Sequence, residues 1–439
     1  MKKVLATILA LVMALGLCSV SWATASTLPE EKDGVIKLTA NVTTAALQDD
    51  VTYDLNNHTL TYSGTGHEVG EGKALTFMDS SATGNARGGT LVLSGVNGAT
   101  AAIIPQKGAT LKVSNIKVTC TGAAFFPRGD AAKVDVIACD VTASTYCVGT
   151  NAGSKDNYGV MITLKDSKFV AAADDGDNCA VMINVSGTLN IDNCTITGDR
   201  QAVLVRAGTA EITNSDIKTT GKFNEASTKY HSGAWKTGNE VPAAALTVGN
   251  YQNGPASAYL AEAKVTVTNT KLTAENGVPA IYTDANDTYK GDLTIGGDST
   301  VVTGTAMKGQ KADKAVLAVT GGTFSTDVTE YLAEGKILQK NGNTYTAVTN
   351  SGITSGTYTT KPTVPDGYKV VKNTDGTFTV EKVGGYYYFD PTTDTKTDDT
   401  KGSPKTFDAG IALYVGIGIY AVTAVLSTTG MAWTARKRH

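Results

Sequence analysis

The sequence predicts an all-β protein: a parallel β-helix followed by small β modules, with an apolar segment near each end. Three observations predict it. First, an octet of the form apolar, any, apolar, any, Asn-like, any, any, apolar recurs along the chain. It reads LKVSNIKV from Leu111, VDVIACDV from Val134, ITLKDSKF from Ile162, LNIDNCTI from Leu189, AEITNSDI from Ala210 and VTVTNTKL from Val265. LTIGGDSTV from Leu293, with one extra residue, and LAVTGGTF from Leu317 complete the series. Successive starts lie 23, 28, 27, 21, 55, 28 and 24 residues apart. Most of these steps are the length of one solenoid coil, and alternation within each octet turns every other side chain inward.

The second observation is the fifth position, which carries Asn115, Asp166, Asn193, Asn214, Asn269 and Gly321, with Ala138 the exception. Asn and Gly accept the left-handed backbone of a tight corner, and stacked Asn side chains are expected to bond from coil to coil. The third is a further strand between octets, in CAVMINVSG from Cys179, QAVLVRAG from Gln201, AALTVGN from Ala244 and PAIYTDAN from Pro279. An antiparallel sandwich also has short, evenly spaced strands, but corner residues at a coil-length period favour the helix.

The chain opens with Lys2 and Lys3, an apolar run from Val4 to Leu17 and the small-x-small triplet Ala23-Thr24-Ala25. This is the pattern of a secretory signal peptide, expected over residues 1–25. A parallel β-helix is expected over residues 26–325, its first coil in VTYDLNNHTLTYSG from Val51. Residues 326–384 are expected to close its open end: Asp327 with Glu330 suggests an N-capped short helix, and Asn341-Gly342 and Asp375-Gly376 suggest hairpin turns. Residues 385–403 form a polar linker. Residues 404–439 form an anchor, in which Ala409 to Trp433 is 25 residues without a charge, followed by Arg436, Lys437, Arg438 and His439. Such a run is long enough to span a bilayer, and the basic tail predicts that everything before it is outside the cell.

The formal charge is −3 with 47 glycines and only ten prolines, which suits a turn-rich β protein and gives no electrostatic case for nucleic acid. Past the expected signal peptide, Cys120, Cys139, Cys147, Cys179 and Cys194 are an odd, irregularly spaced set, unlike a disulfide framework or a zinc cluster. Cys139 and Cys194 share one octet position two coils apart, about 9.6 Å, too far for a disulfide.

The octets and their Asn corners resemble the right-handed parallel β-helix proteins of the pectate-lyase-like superfamily, over roughly residues 51–325. Pro404, Lys405 and Thr406, followed by an apolar span and a basic tail, resemble the sorting signal of Gram-positive wall-anchored surface proteins. That likeness implies that a sortase joins Thr406 to peptidoglycan, although Ser403 and Phe407 stand where the family has leucine and glycine. Without cleavage, the same segment is a membrane anchor. Both readings put the protein on the bacterial cell surface.

Chemistry is less legible. Asp177 with Asn178 resembles part of the acidic stretch of polygalacturonases, but an amide cannot serve as acid or base, and the family's partner motifs are missing. Asp174, Asp175 and Asp177 could supply carboxylate oxygens to calcium, as in calcium-dependent lyases, or form a solvated turn. Arg128 and Arg206 follow strands and are expected to be exposed. His58 falls in a strand or turn, and His67 in a glycine-rich loop. The 55-residue step contains an excursion with Tyr230, His231, Trp235, Tyr251 and Tyr259, whose rings suit stacking on sugars or pinning the loop to the coil beneath. The function expected is adhesion or glycan binding outside the cell, with an extracellular glycan or host surface as partner. The alternatives are a polysaccharide lyase or glycoside hydrolase, and a passive structural wall protein.

Overall fold

The structure is a computed structural model that describes residues 27–84, 86–98, 100–150, 159–171, 179–221, 243–249, 262–275, 277–284, 291–309 and 316–384. The chain divides into two units, Met1–Val383 and Gly384–His439, and only Gly384 of the second is described. The expected signal peptide, polar linker, apolar span and sorting motif Pro404, Lys405 and Thr406 therefore lie outside the described residues. Among the described residues no helix is long and apolar enough to cross a membrane.

The first unit is a parallel β-helix with three sheet faces, called here A, B and C. Sheet A has eleven strands, from Val35–Lys37 through Thr110–Ser114 and Gly187–Asp192 to Val316–Val319. Sheet B runs beside it from Val42–Thr44 through Lys117–Cys120 to Thr323–Phe324. Sheet C is in two parts. Three strands, His67–Val69, Ala101–Pro105 and Ala123–Phe125, precede five, Cys179–Ile183, Gln201–Val205, Ala244–Gly249, Pro279–Asp284 and Thr305–Gly309. Val148 joins the two parts by bridging Phe125 on one side and Val181 on the other. The expected stack is thus present, and it starts earlier than Val51, at Val35.

Register places the octets on one another. Leu111, Val134, Ile162, Leu189, Ala210, Val265, Leu293 and Leu317 pair in succession, with Leu75 and Val51 before Leu111. Val113, Val136, Leu164, Ile191 and Ile212 form a second column, also buried. Tyr53 and Phe77 continue that column with rings stacked at 5.4 Å. Each fully buried aliphatic side chain contributes about 1.5–3 kcal/mol, so stacking one rung on the next is the main source of stability.

The octets from Leu111 to Val265 each fold as the end of a sheet A strand, one left-handed residue, one further residue and the start of a sheet B strand. The left-handed residue is Asn115, Ala138, Asp166, Asn193, Asn214 and Asn269 in successive coils, with φ between 50° and 60°. Ala138 obeys the corner despite its side chain. In the last octet the left-handed residue is Gly322 (φ 104°), not Gly321, because the sheet A strand ends at Val319 and the corner is longer there. The expected Asn-to-Asn ladder is mixed. Asn193 Nδ2 donates to Asp166 Oδ1 at 2.6 Å, whereas Asn214 Nδ2 donates to Asp192 Oδ1 at 3.0 Å.

A second ladder runs inside the corner, at the residue after the left-handed one as far as Thr270 and then at Thr300, three residues after Gly297. The Ser167 hydroxyl accepts the Cys139 N–H at 3.0 Å, and the Ser215 hydroxyl accepts the Cys194 N–H at 3.1 Å. The Thr270 and Thr300 hydroxyls accept the Ser215 and Thr270 N–H groups, each at 3.3 Å. Ser167, Ser215 and Thr270 in turn donate to the carbonyl two residues back, at 2.6, 2.7 and 3.0 Å. The Cys139 and Cys194 thiols donate in the same way at 3.2 and 3.3 Å. Backbone donors that the corner removes from the sheets are thereby satisfied. Cys120, Cys139, Cys147, Cys179 and Cys194 are free and buried.

The coil before Leu111 has the longest corner. Between Ala74–Met78 and Thr90–Leu93 the corner is an excursion, residues 79–89, organised by the buried Asp79. Its carboxylate accepts the N–H groups of Asn57 (2.6 Å), Gly89 (2.5 Å) and Ser81 (2.8 Å). Arg87, on the same excursion, donates to Asp140 at 3.1 Å and to the Asp166 carbonyl at 2.6 Å, tying later coils together.

The far end of the stack is closed by antiparallel strands. Thr323–Phe324 pairs with Thr344–Thr349, which forms a hairpin with Lys336–Asn341, and Gly356–Tyr358, Phe378–Lys382 and Tyr368–Lys372 extend the same sheet. The expected N-capped helix is only a 3-10 turn, Thr329–Tyr331. Asp327 does not cap it. Its Oδ1 instead accepts the N–H and hydroxyl of Thr329 at 2.8 and 2.6 Å, a local turn that competes with helix.

Candidate functional site

Sheets A and B alternate, with one side chain in and the next out: TLKVS in A and KVTC in B keep only their apolar positions buried. Sheet C does not. AAIIP, CAVMI, QAVLV and AALTVG are buried at every position. Continuous apolar runs are the sequence signature of strands covered on both faces. The inward side chains, Ile103, Phe125, Val148, Val181, Val203, Leu246 and Ile281, belong to the main core. The outward ones form a separate cluster that includes Ile104, Phe126, Tyr146, Met182, Leu204 and Tyr282.

Register orders that outer face. Met182, Leu204, Thr247 and Tyr282 pair in one row across four rungs, and Cys179, Gln201 and Ala244 pair in another. The Phe126 ring meets Tyr146 edge-on at 6.0 Å. It also packs over Gly149, where an added Cβ would stand 2.7 Å from the ring, so the close approach requires glycine. Polar groups sit among these apolar side chains. Thr150 Oγ1 lies 2.8 Å from Asn184 Oδ1 and accepts the Asn184 N–H at 2.8 Å. Gln201, Asn184 and Arg206 are all buried. The Thr247 hydroxyl is fully buried and has no hydrogen-bond partner among the described residues.

Arg206, expected to be exposed, is thus a correction: it follows directly on Gln201–Val205 and is enclosed with that sheet's outer face. Arg128 does stand half exposed, 3.9 Å from Glu68. His67, expected in a loop, starts the strand His67–Val69, with its Nε2 2.9 Å from Asp49 Oδ1. The Gly70 N–H donates to the other oxygen of Asp49 at 2.9 Å. Sequence reading missed this pair because Asp49 lies a coil before His67, and only stacking brings them together. The Asp49 carboxylate thus holds the imidazole in one orientation at the start of this strand.

Topology also sorts the connections. Apart from residues 45–50, which join Val42–Thr44 to Val51–Asp54, and residues 79–89, every connection of six residues or more within the stack enters or leaves sheet C. Residues 149–159 leave Val148, 172–178 enter Cys179–Ile183, 220–243 enter Ala244–Gly249 and 250–262 leave it. Asp174, Asp175 and Asp177 belong to the second of these, Tyr230, His231 and Trp235 to the third, and Tyr251 and Tyr259 to the fourth. All eight residues lie outside the described residues. The strands that carry them are nevertheless close, since Cys179–Ile183 and Ala244–Gly249 flank the same neighbour, Gln201–Val205. That is two rungs, about 9.6 Å.

Among the described residues there is no group of three or more His, Cys, Asp or Glu side chains able to hold a metal ion. The two outward rows of the five-stranded part, Met182 to Tyr282 and Cys179 to Ala244, include the Gln201 amide and the Thr247 and Tyr282 hydroxyls. No family model, no curated protein and no solved structure matches this chain.

Proposed function

We propose that this chain is a cell-surface parallel β-helix protein, of the pectate-lyase-like kind displayed by Gram-positive bacteria, that binds an extracellular glycan or host surface. One observation carries the reading. Sheet C differs from its neighbours, and the segments bearing the aromatic and acidic candidates all attach to its strands. Loops gathered on one side of a rigid scaffold are where recognition usually resides. Tyr230, His231, Trp235 and Tyr251 are the proposed glycan contacts, by ring stacking with amide partners nearby. Pro404, Lys405 and Thr406 are the proposed attachment to peptidoglycan, with the apolar span that follows as the membrane alternative.

The test is a glycan array probed with residues 26–384, the Trp235→Ala variant and a Lys264→Ala control on the sheet A face. Binding lost in the first variant and kept in the second supports the reading. Equal binding by all three would exclude the aromatic excursion, and no binding by any would favour a passive wall protein. Cleavage of a uronate polymer by the parent, abolished when Asp174, Asp175 and Asp177 are neutralised together, would favour the enzyme instead. Release from cells by muramidase but not detergent supports wall attachment.

A further inference from the structure

No further inference is drawn: the strongest candidate, the outward row of Met182, Leu204, Thr247 and Tyr282 on the five-stranded part of sheet C, belongs to the site already described, and nothing among the described residues shows what covers it.

Discussion

Ser215 shows what one interior hydroxyl does in this fold. It accepts the Cys194 N–H and donates to the Thr213 carbonyl, so both of its bonds serve the corner. Ser215→Ala leaves a buried N–H unpaired and should cost about 1–3 kcal/mol in urea unfolding. Ser215→Cys should cost less, because thiols already hold the equivalent position at Cys139 and Cys194. Equal losses for the two variants would mean that side-chain size, not hydrogen bonding, governs the site. The thiols themselves are held neutral. Burial pushes Cys139 and Cys194 up to about 11, and Cys120 and Cys147 up to about 12, from an ordinary 9.0. The unfolded chain therefore releases these protons at lower pH than the folded one. Their contribution to stability is complete below about pH 9 and is lost as pH rises through 11 to 12. Unfolding midpoints followed from pH 8 to 11 should fall, and a serine substitution at Cys139 should lessen the fall. A flat profile would contradict the enclosure of these groups.

At the scale of an element, the left-handed corner is the unit repeated from coil to coil. Ala138 adopts φ 54° without the local bonding that an Asn or Asp side chain offers. Ala138→Gly should relieve this strain and stabilise the protein by about 0.5–1 kcal/mol, net of the greater freedom glycine has when unfolded. Asn193→Val should do the reverse, costing 1–3 kcal/mol or more, because a β-branched residue resists φ 52° and loses the bond to Asp166. Thermal melts of both variants would check this, and a stabilising Asn193→Val would overturn the corner as described. The long corner at residues 79–89 obeys different rules. Burial pushes the Asp79 carboxyl up, but the Ser81 hydroxyl and the N–H groups of Asn57, Gly89 and Ser81 outweigh it and hold it below 3.8. Its stabilisation is therefore present above that value and lost as pH falls through the folded one. Asp79→Asn should destabilise the protein by about 2–4 kcal/mol near neutral pH, since an amide offers only one accepting oxygen. Refolded material with unchanged urea sensitivity would show that the excursion does not depend on this carboxylate.

At the scale of the whole molecule, a stack of parallel rungs has open edges, and here one edge is met by antiparallel pairing. Phe324 and the strand Thr344–Thr349 join the last rung to the hairpin, and Leu338 and Ala347 enter the main core beneath it. A chain ending at Ser325 would leave a row of unpaired backbone groups and uncovered apolar side chains. It should self-associate, seen as a concentration-dependent mass in light scattering, while the chain through Gly384 stays monodisperse. A monodisperse truncated chain would show that the last rung needs no cover.

The winding itself was legible in the sequence. The octets at Leu111, Val134, Ile162 and Leu189 state both the strand alternation and the coil length, because each rung meets the same neighbours and so repeats the same pattern. The earliest coils were less visible. Residues 79–89 replace the one-residue corner there, and Val35 and Val42 begin strands of only three residues, too short for a period to show. The aromatic and acidic candidates could be named from composition alone. That their segments attach to strands two rungs apart, that Arg206 is enclosed and that His67 meets Asp49 were decided only by tertiary structure. Those relations run along the stacking axis, across about twenty to seventy residues of chain, where register sets distance and sequence separation does not.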